Sequence, residues 1–280
     1  MQNQVSQIAR EAGAEAIAAA FYDYETETAW SYQGDRWFHA ASTIKVAVLA
    51  SLFRVVEEGG LALDSRVHVR NRFLSVVDGE PYRITIARDA NSKVHAATGK
   101  TMKVAELAHH MIVTSSNLAT NLLLDLIGIE TARRALDDLD IEGVRLVRGL
   151  EDDKAFDAGI SNLVTANGLL SLFRMMQEER KLSAHSAQEM LSILNQQEFN
   201  SGIPAGLPGS MRDAARIAHK TGEISTVAHD AGLVSLPRRK PYALVILTEW
   251  ARDNSNGRQE TVARLSRAIY QNLTGDDENT

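Results

Sequence analysis

HAASTIKVAVLASLF, residues 39–53, sets a serine and a lysine at the mouth of an otherwise apolar segment. Ser42 and Lys45 are three residues apart, so a helix starting at Ser42 puts both on one face. Val46, Ala47, Val48, Leu49, Leu52 and Phe53 follow, and such a helix is apolar nearly all round and belongs in a core. It is expected to end at Gly59-Gly60. Taken alone, the pair is a capping serine and a snorkelling lysine. A lysine entering a core costs desolvation energy, which asks for a use.

Working outward, Gln2–Ala12 has a helical pattern that Gly13 breaks. AIAAAFYDY and TAWSYQG then give two strands around a polar turn, 23–28. Residues 61–100 are polar and irregular, a long excursion of the kind that often carries function. From Lys103 to about Glu198, apolar residues recur at i, i+3 and i+4 in segment after segment. ARIAHKTGEI, HDAGLVSL and YALVILTEW supply three more strands, the last almost wholly apolar, as a central strand is. A helix from Arg258 to Leu273 closes the chain, and GDDENT is expected to fray.

These elements predict an α/β (α+β) fold of two subdomains. An antiparallel sheet of about five strands is flanked by the terminal helices, and an all-α subdomain is inserted into it. The expected division is 1–38 together with 200–280, and 39–199. The helix from Ser42 would lie at the seam, where pockets form preferentially.

The 280 residues are 44% hydrophobic, enough for a sizeable core, and carry a net charge of -6. That charge and the sparse aromatics argue against nucleic acid and against an anionic membrane surface. No apolar run approaches the ~18 residues of a membrane span. With no cysteine, thiolate metal sites and cysteine nucleophiles drop out. His109 and His110 are adjacent and diverge on a helix, so no metal site is expected. The N-terminus has no signal-peptide pattern, which fits a cytoplasmic protein or a secreted one whose leader has been removed.

Two further short motifs follow the Ser42-Thr43-Ile44-Lys45 start. Ser115-Ser116-Asn117 falls in a polar break between apolar helices, and Lys220-Thr221-Gly222 lies on an expected strand. This set, in this order and these settings, resembles the penicillin-recognising serine enzymes, class A β-lactamases among them. SSNLATNLLLDLIG is similar to their second-motif region, including Asn121 four residues after Asn117. The likeness spans most of residues 3–273.

The resemblance implies a serine hydrolase that opens β-lactam rings through an acyl-enzyme at Ser42, with Lys45 as base. Ser115 would relay a proton to the leaving nitrogen, and the backbone N–H groups of Ser42 and Glu223 would form the oxyanion hole. Asn117 would hold the substrate's amide, while Lys220, Thr221 and Gly222 would line its carboxylate site. The family works without a cofactor, and a monomer acting on a small-molecule substrate is expected.

The chain departs from the family at three places. Ser116 stands where the motif usually has an aspartate that braces the loop. In the stretch VRGLEDDKAFDAGISN, Arg148 and Asn162 resemble the ends of the deacylation loop, but Asn162 replaces an aspartate and removes a salt bridge. Glu151 is the carboxylate expected to activate water. It comes three residues after Arg148 where the family has two, and Ala155 stands where an asparagine is usual. Asp152 and Asp153 are rival carboxylates. Two alternatives therefore stay open: a related peptidase, esterase or amidase, and a slowly deacylating penicillin-binding or sensor protein. His39, His229 and the Arg70–Phe73 segment border the motifs in sequence without an assigned role.

Overall fold

The computed structural model describes residues 1–252 and 257–275. Most of the GDDENT tail lies outside the described residues. Five strands form one antiparallel sheet: β1 (Ala16–Asp23), β2 (Thr28–Tyr32), β3 (Arg216–Ile224), β4 (Val227–Ser235) and β5 (Tyr242–Glu249). Their spatial order is β3-β4-β5-β1-β2, so the two ends of the chain meet where β1 pairs with β5. In that pairing Ala20 lies opposite Val245.

Alternation along β1 explains how this sheet is covered on both sides. Ala16, Ala18 and Ala20 face one apolar core, and Ile17, Ala19 and Phe21 face the other. On β5, Ala243, Val245 and Leu247 face the first core, and Leu244 and Ile246 the second. The second core is closed by the terminal helices α1 (Gln2–Ala12) and α8 (Arg258–Thr274), which pack on each other. Gly13 ends α1 in the left-handed region, φ 69°, a conformation that glycine adopts without a Cβ penalty.

The first core is shared with the helical region between β2 and β3. Its principal members are α2 (Ile44–Glu57), α3 (Val104–Val113), α4 (Asn117–Ile127), α5 (Ile129–Asp138), α6 (Ala166–Gln177) and α7 (Ala184–Leu194). Every residue of α2 from Ile44 to Phe53 is buried, Lys45 among them. The alanines of β1 let α6 approach the sheet closely.

The structure departs from the sequence reading at two points. Ser42 does not begin the α-helix: Ala41–Thr43 form a 3₁₀ turn, and α2 starts at Ile44. The helical region is also not purely α. Phe38–His39, Leu163–Val164 and Val144–Arg145 make a three-strand ladder two residues wide, and the 61–103 stretch contains similarly short pairings. Bridges that short leave no period in the sequence to detect.

Candidate active site

Three of the expected residues converge on the amine of a fourth, Lys45. Lys45 Nζ lies 3.1 Å from Ser42 Oγ, 3.0 Å from Ser115 Oγ, 2.7 Å from the Ser115 carbonyl and 2.7 Å from Asn117 Oδ1. The 3₁₀ turn delivers Ser42, and the first turn of α2 delivers Lys45. The loop between α3 and α4 delivers Ser115, and α4 begins with Asn117. The Lys45 pKa is driven well below the ordinary lysine range, first by burial and then by the nearby Lys220 cation, with Asp89 and Glu151 opposing.

β3 forms the opposite wall. Gly222 is required by close approach: a Cβ there would sit 2.9 Å from Thr43 N and 3.1 Å from Ser42 N. Ser225 and Thr226 form a two-residue hairpin loop closed by the Ile224–Val227 pair. In such a hairpin the closing pair exchanges both backbone hydrogen bonds, so the next pair, Glu223–Ala228, does not. Because β3 is an edge strand, the Glu223 N–H points away from β4, one residue beyond the place where Gly222 meets the Ser42 turn.

Lys220 is fully buried and donates to the Thr221 carbonyl at 2.9 Å. Burial pushes its pKa down to about 7, with Asp230 opposing. Thr221, Ser42, Ser115, Asn117, Glu151 and Glu223 line one cleft.

Three non-glycine residues around this centre hold left-handed backbone: Ala41 (φ 45°), Ser115 (φ 56°) and Glu151 (φ 60°). Each such residue costs roughly 1 kcal/mol or more, and strain of this kind collects at functional sites. At Ala41 it is supported by a hydrogen bond from the Ala41 N–H to His39 Nδ1, 3.1 Å. His229 lies farther in and points Nε2 at the His39 carbonyl, 2.9 Å.

The loop 148–162 brings up the carboxylates. Asn162 Oδ1 accepts from the N–H groups of Val147 and Arg148, and its Nδ2 donates to the Arg148 carbonyl. Neutral hydrogen bonds thus close the neck where the resemblance implies a salt bridge. Asn121 clamps the loop from α4: its Oδ1 accepts the Leu150 N–H at 2.7 Å and its Nδ2 donates to the Leu150 carbonyl at 2.9 Å. Leu150 therefore holds the position two after Arg148, and Glu151 comes next in left-handed backbone.

Glu151 Oε1 accepts from Asn117 Nδ2 at 3.0 Å. Burial raises its pKa, with Arg88 the largest opposing influence. Asp152 points elsewhere, accepting from Ser75 Oγ, Val76 N and Ala155 N. Asp153 is exposed and paired with Arg88. The Arg70–Phe73 segment lies away from this cleft, with Arg70 paired to Asp125.

Two participants have no counterpart in the sequence reading. Asp89, buried, accepts from Ser116 Oγ (3.1 Å), Asn117 N (3.1 Å), Leu118 N (2.9 Å) and Asn91 N (3.2 Å), and meets His95 Nε2 at 3.1 Å. The aspartate missing at position 116 is thus supplied from a distant loop, which braces the start of α4. Arg88, its neighbour, ion-pairs with Glu151 at 2.5 Å and offers its carbonyl to Asn117 Nδ2 at 2.9 Å. Neither residue belongs to a periodic segment. The one available signal was the absent motif aspartate, which calls for a substitute in the long excursion before it.

Known proteins align with this picture along the whole chain. The model of the Beta-lactamase enzyme family matches residues 1–273. A β-lactamase of Streptomyces fradiae is 26% identical over 268 residues, covering 92% of this chain and 81% of that protein. The structure of PBP-A superposes with a TM-score of 0.82 at 26% identity, over 99% of this chain and 97% of that one. A leucine-to-glutamate variant of PBP-A, solved as an acyl-enzyme complex with penicillin G, gives 0.79 at 25% identity over 99% and 98%. An ancestral class A β-lactamase shares the fold, with a TM-score of 0.81 at 23% identity over 97% and 99%. The chain is an enzyme of β-lactamase-like hydrolase type and belongs to the Beta-lactamase enzyme family.

Proposed function

We propose that this enzyme opens β-lactam rings by the class A route, through an acyl-enzyme at Ser42. The observation that carries this reading is the buried Lys45 amine within hydrogen-bond reach of both Ser42 Oγ and Ser115 Oγ. An ammonium has three N–H groups for the four oxygens around it. A neutral amine gives two N–H groups to the short carbonyl contacts and keeps a lone pair for the Ser42 hydroxyl. Burial and Lys220 both favour that neutral form.

In this reading Ser42 Oγ attacks the lactam carbonyl carbon as its proton passes to Lys45. The Ser42 and Glu223 N–H groups hold the oxyanion, an interaction worth about 10²–10³ in rate per donor. The C–N bond breaks, and the nitrogen takes its proton through Ser115. Water then attacks the ester carbon while Glu151 accepts its proton; the C–Oγ bond breaks, and that proton returns to Ser42 Oγ as the acid product leaves. Asn117 bridges the two halves, with Oδ1 toward Lys45 and Nδ2 toward Glu151, so a substrate amide would share that Nδ2. Lys220 and Thr221 receive the substrate carboxylate.

One observation favours the alternative of a slowly deacylating enzyme or a peptidase relative. Leu150 occupies the place that the family spacing gives the glutamate, and Glu151 reaches the cleft only through a left-handed backbone. Intact-protein mass spectrometry with benzylpenicillin, quenched at seconds and at hours, separates the readings. Catalytic loss of drug with little lasting adduct is expected. A stoichiometric adduct that persists for hours would shift the assignment to the alternative. In Glu151→Gln the acyl-enzyme is expected to accumulate while acylation continues, with turnover down about 10²–10⁴-fold. Unchanged turnover would remove Glu151 from the role.

The carboxylate site has a pH signature. Lys220 carries its charge below its pKa of about 7 and loses it above. Hence kcat/KM for benzylpenicillin is expected to fall as pH rises through that region, and its methyl ester should lack this alkaline limb. Identical limbs for acid and ester would exclude Lys220 as the carboxylate's partner.

A further inference from the structure

The dipeptide Arg88-Asp89 works in two directions. Asp89 turns inward and braces residues 116–118. Arg88 turns outward across the cleft to the 148–162 loop. Its Nε meets Glu151 Oε2 at 2.5 Å, and its two terminal nitrogens fork onto Asp153 at 2.7 and 2.9 Å. Glu151 Oε1 thus accepts from Asn117, while the buried Oε2 takes no hydrogen bond among the described residues and is met by the Arg88 charge at ion-pair distance. The Arg88 side chain stays about half exposed while that of Glu151 is largely covered, so the contact is an ion pair reaching in from the rim.

We infer that Arg88 is a positioning residue for hydrolysis of the acyl-enzyme: it holds Glu151 as an oriented carboxylate at the cleft. This inference rests on the reading of Glu151 as the base that activates water. The charged groups facing Glu151 are Arg88, Lys45 and Arg148, which favour its anion, and Asp153, which disfavours it. Of these basic groups, of which Lys45 counts only when protonated, Arg88 alone forms an ion pair with Glu151 among the described residues. Burial works against the anion, and an opposite charge at contact distance typically offsets that by 1–3 pH units. A carboxylate that protonates cannot take a proton from water, so the ion pair sets the pH at which deacylation begins to fail.

The test uses Arg88→Gln, Arg88→Lys and Asp153→Asn in the full chain, with two readouts. The first is the Glu151 carboxyl titration by ¹³C NMR, assigned by its loss in Glu151→Gln. The second is the pH profile of single-turnover deacylation. Arg88→Gln is expected to move both acid limbs up by about one pH unit, slowing deacylation about tenfold at a pH on that limb. Arg88→Lys, which keeps the charge, should restore most of the shift. Asp153→Asn removes a like charge and should not move the limbs upward, although it frees the other arm of Arg88. A general loosening of the loop would instead make Asp153→Asn resemble Arg88→Gln and leave the Glu151 titration in place.

An unmoved Glu151 titration in Arg88→Gln would overturn the inference outright. A moved titration with an unmoved deacylation limb would overturn its catalytic half, and Glu151→Gln then identifies the cause. Normal turnover in that variant means that Glu151 is not the base, whereas accumulated acyl-enzyme means that Arg88 does not govern it.

Discussion

In Ser42→Ala, benzylpenicillin should leave the protein mass unchanged for hours, and turnover should fall by about a million-fold, as when other serine hydrolases lose their nucleophile. The fold should survive. Among the described residues Ser42 Oγ meets only the Lys45 amine, which keeps three other oxygens in reach. The variant also discriminates between two hydroxyls. Ser115 Oγ lies 3.0 Å from the same amine and could in principle be acylated instead. An adduct that persists in Ser42→Ala and maps to the peptide containing Ser115 would reverse the two serine assignments. The geometry favours Ser42, because its backbone N stands beside Gly222, the residue before Glu223 on β3.

Asp89→Ala should be the most damaging change outside the reacting groups. It removes the acceptor of the Ser116 hydroxyl and of the Asn117 and Leu118 N–H groups at the start of α4, where little water reaches them. Stranding three buried donors, at about 1–3 kcal/mol each, is expected to cost about 3–5 kcal/mol in all. For a chain of this size, a thermal midpoint lower by roughly 6–12 °C follows. Acylation should slow as well, since Ser115 and Asn117 lie on the braced segment. Adding Ser116→Asp to Asp89→Ala should recover much of both losses, because the carboxylate returns where the related motif has it. Ser116→Asp alone should destabilise, since two carboxylates would then share one buried site. A double variant no better than Asp89→Ala would show that the brace depends on the 88–91 loop and not on a carboxylate.

The sheet and helices were legible because their residues repeat with a period. AIAAAFYD and YALVILTE read as strands and one sheet built from both ends of the chain was expected, whereas the pairing of β1 with β5 is seen only in the structure. The Ser42–Lys45 contact was legible through its local spacing, and the approach of Ser115 and Asn117 was expected only through the resemblance of the three motifs. Arg88 and Asp89 were not. Their partners at the cleft lie 27 to 65 residues away, and an aspartate in a polar stretch carries no mark of burial. The start of α2 was misplaced by two residues, because a 3₁₀ turn and an α-helix share the same apolar spacing over so short a span. The left-handed backbone at Glu151 was equally hidden, since nothing in LEDD announces a turn that only the Asn121 clamp imposes.

The position of β3 at the sheet's rim has a consequence for solubility. A nine-residue strand with one unpaired side is a template on which a second chain could zip. Here the turn 41–43 and helix α7 pack along that rim, and the turn carrying Ser42 comes within a methyl group's reach of Gly222. The residues that shape the pocket therefore also guard the molecule against self-association. A change that lifts the turn away, such as Gly222→Ala, exposes a sticky border as well as emptying a cleft.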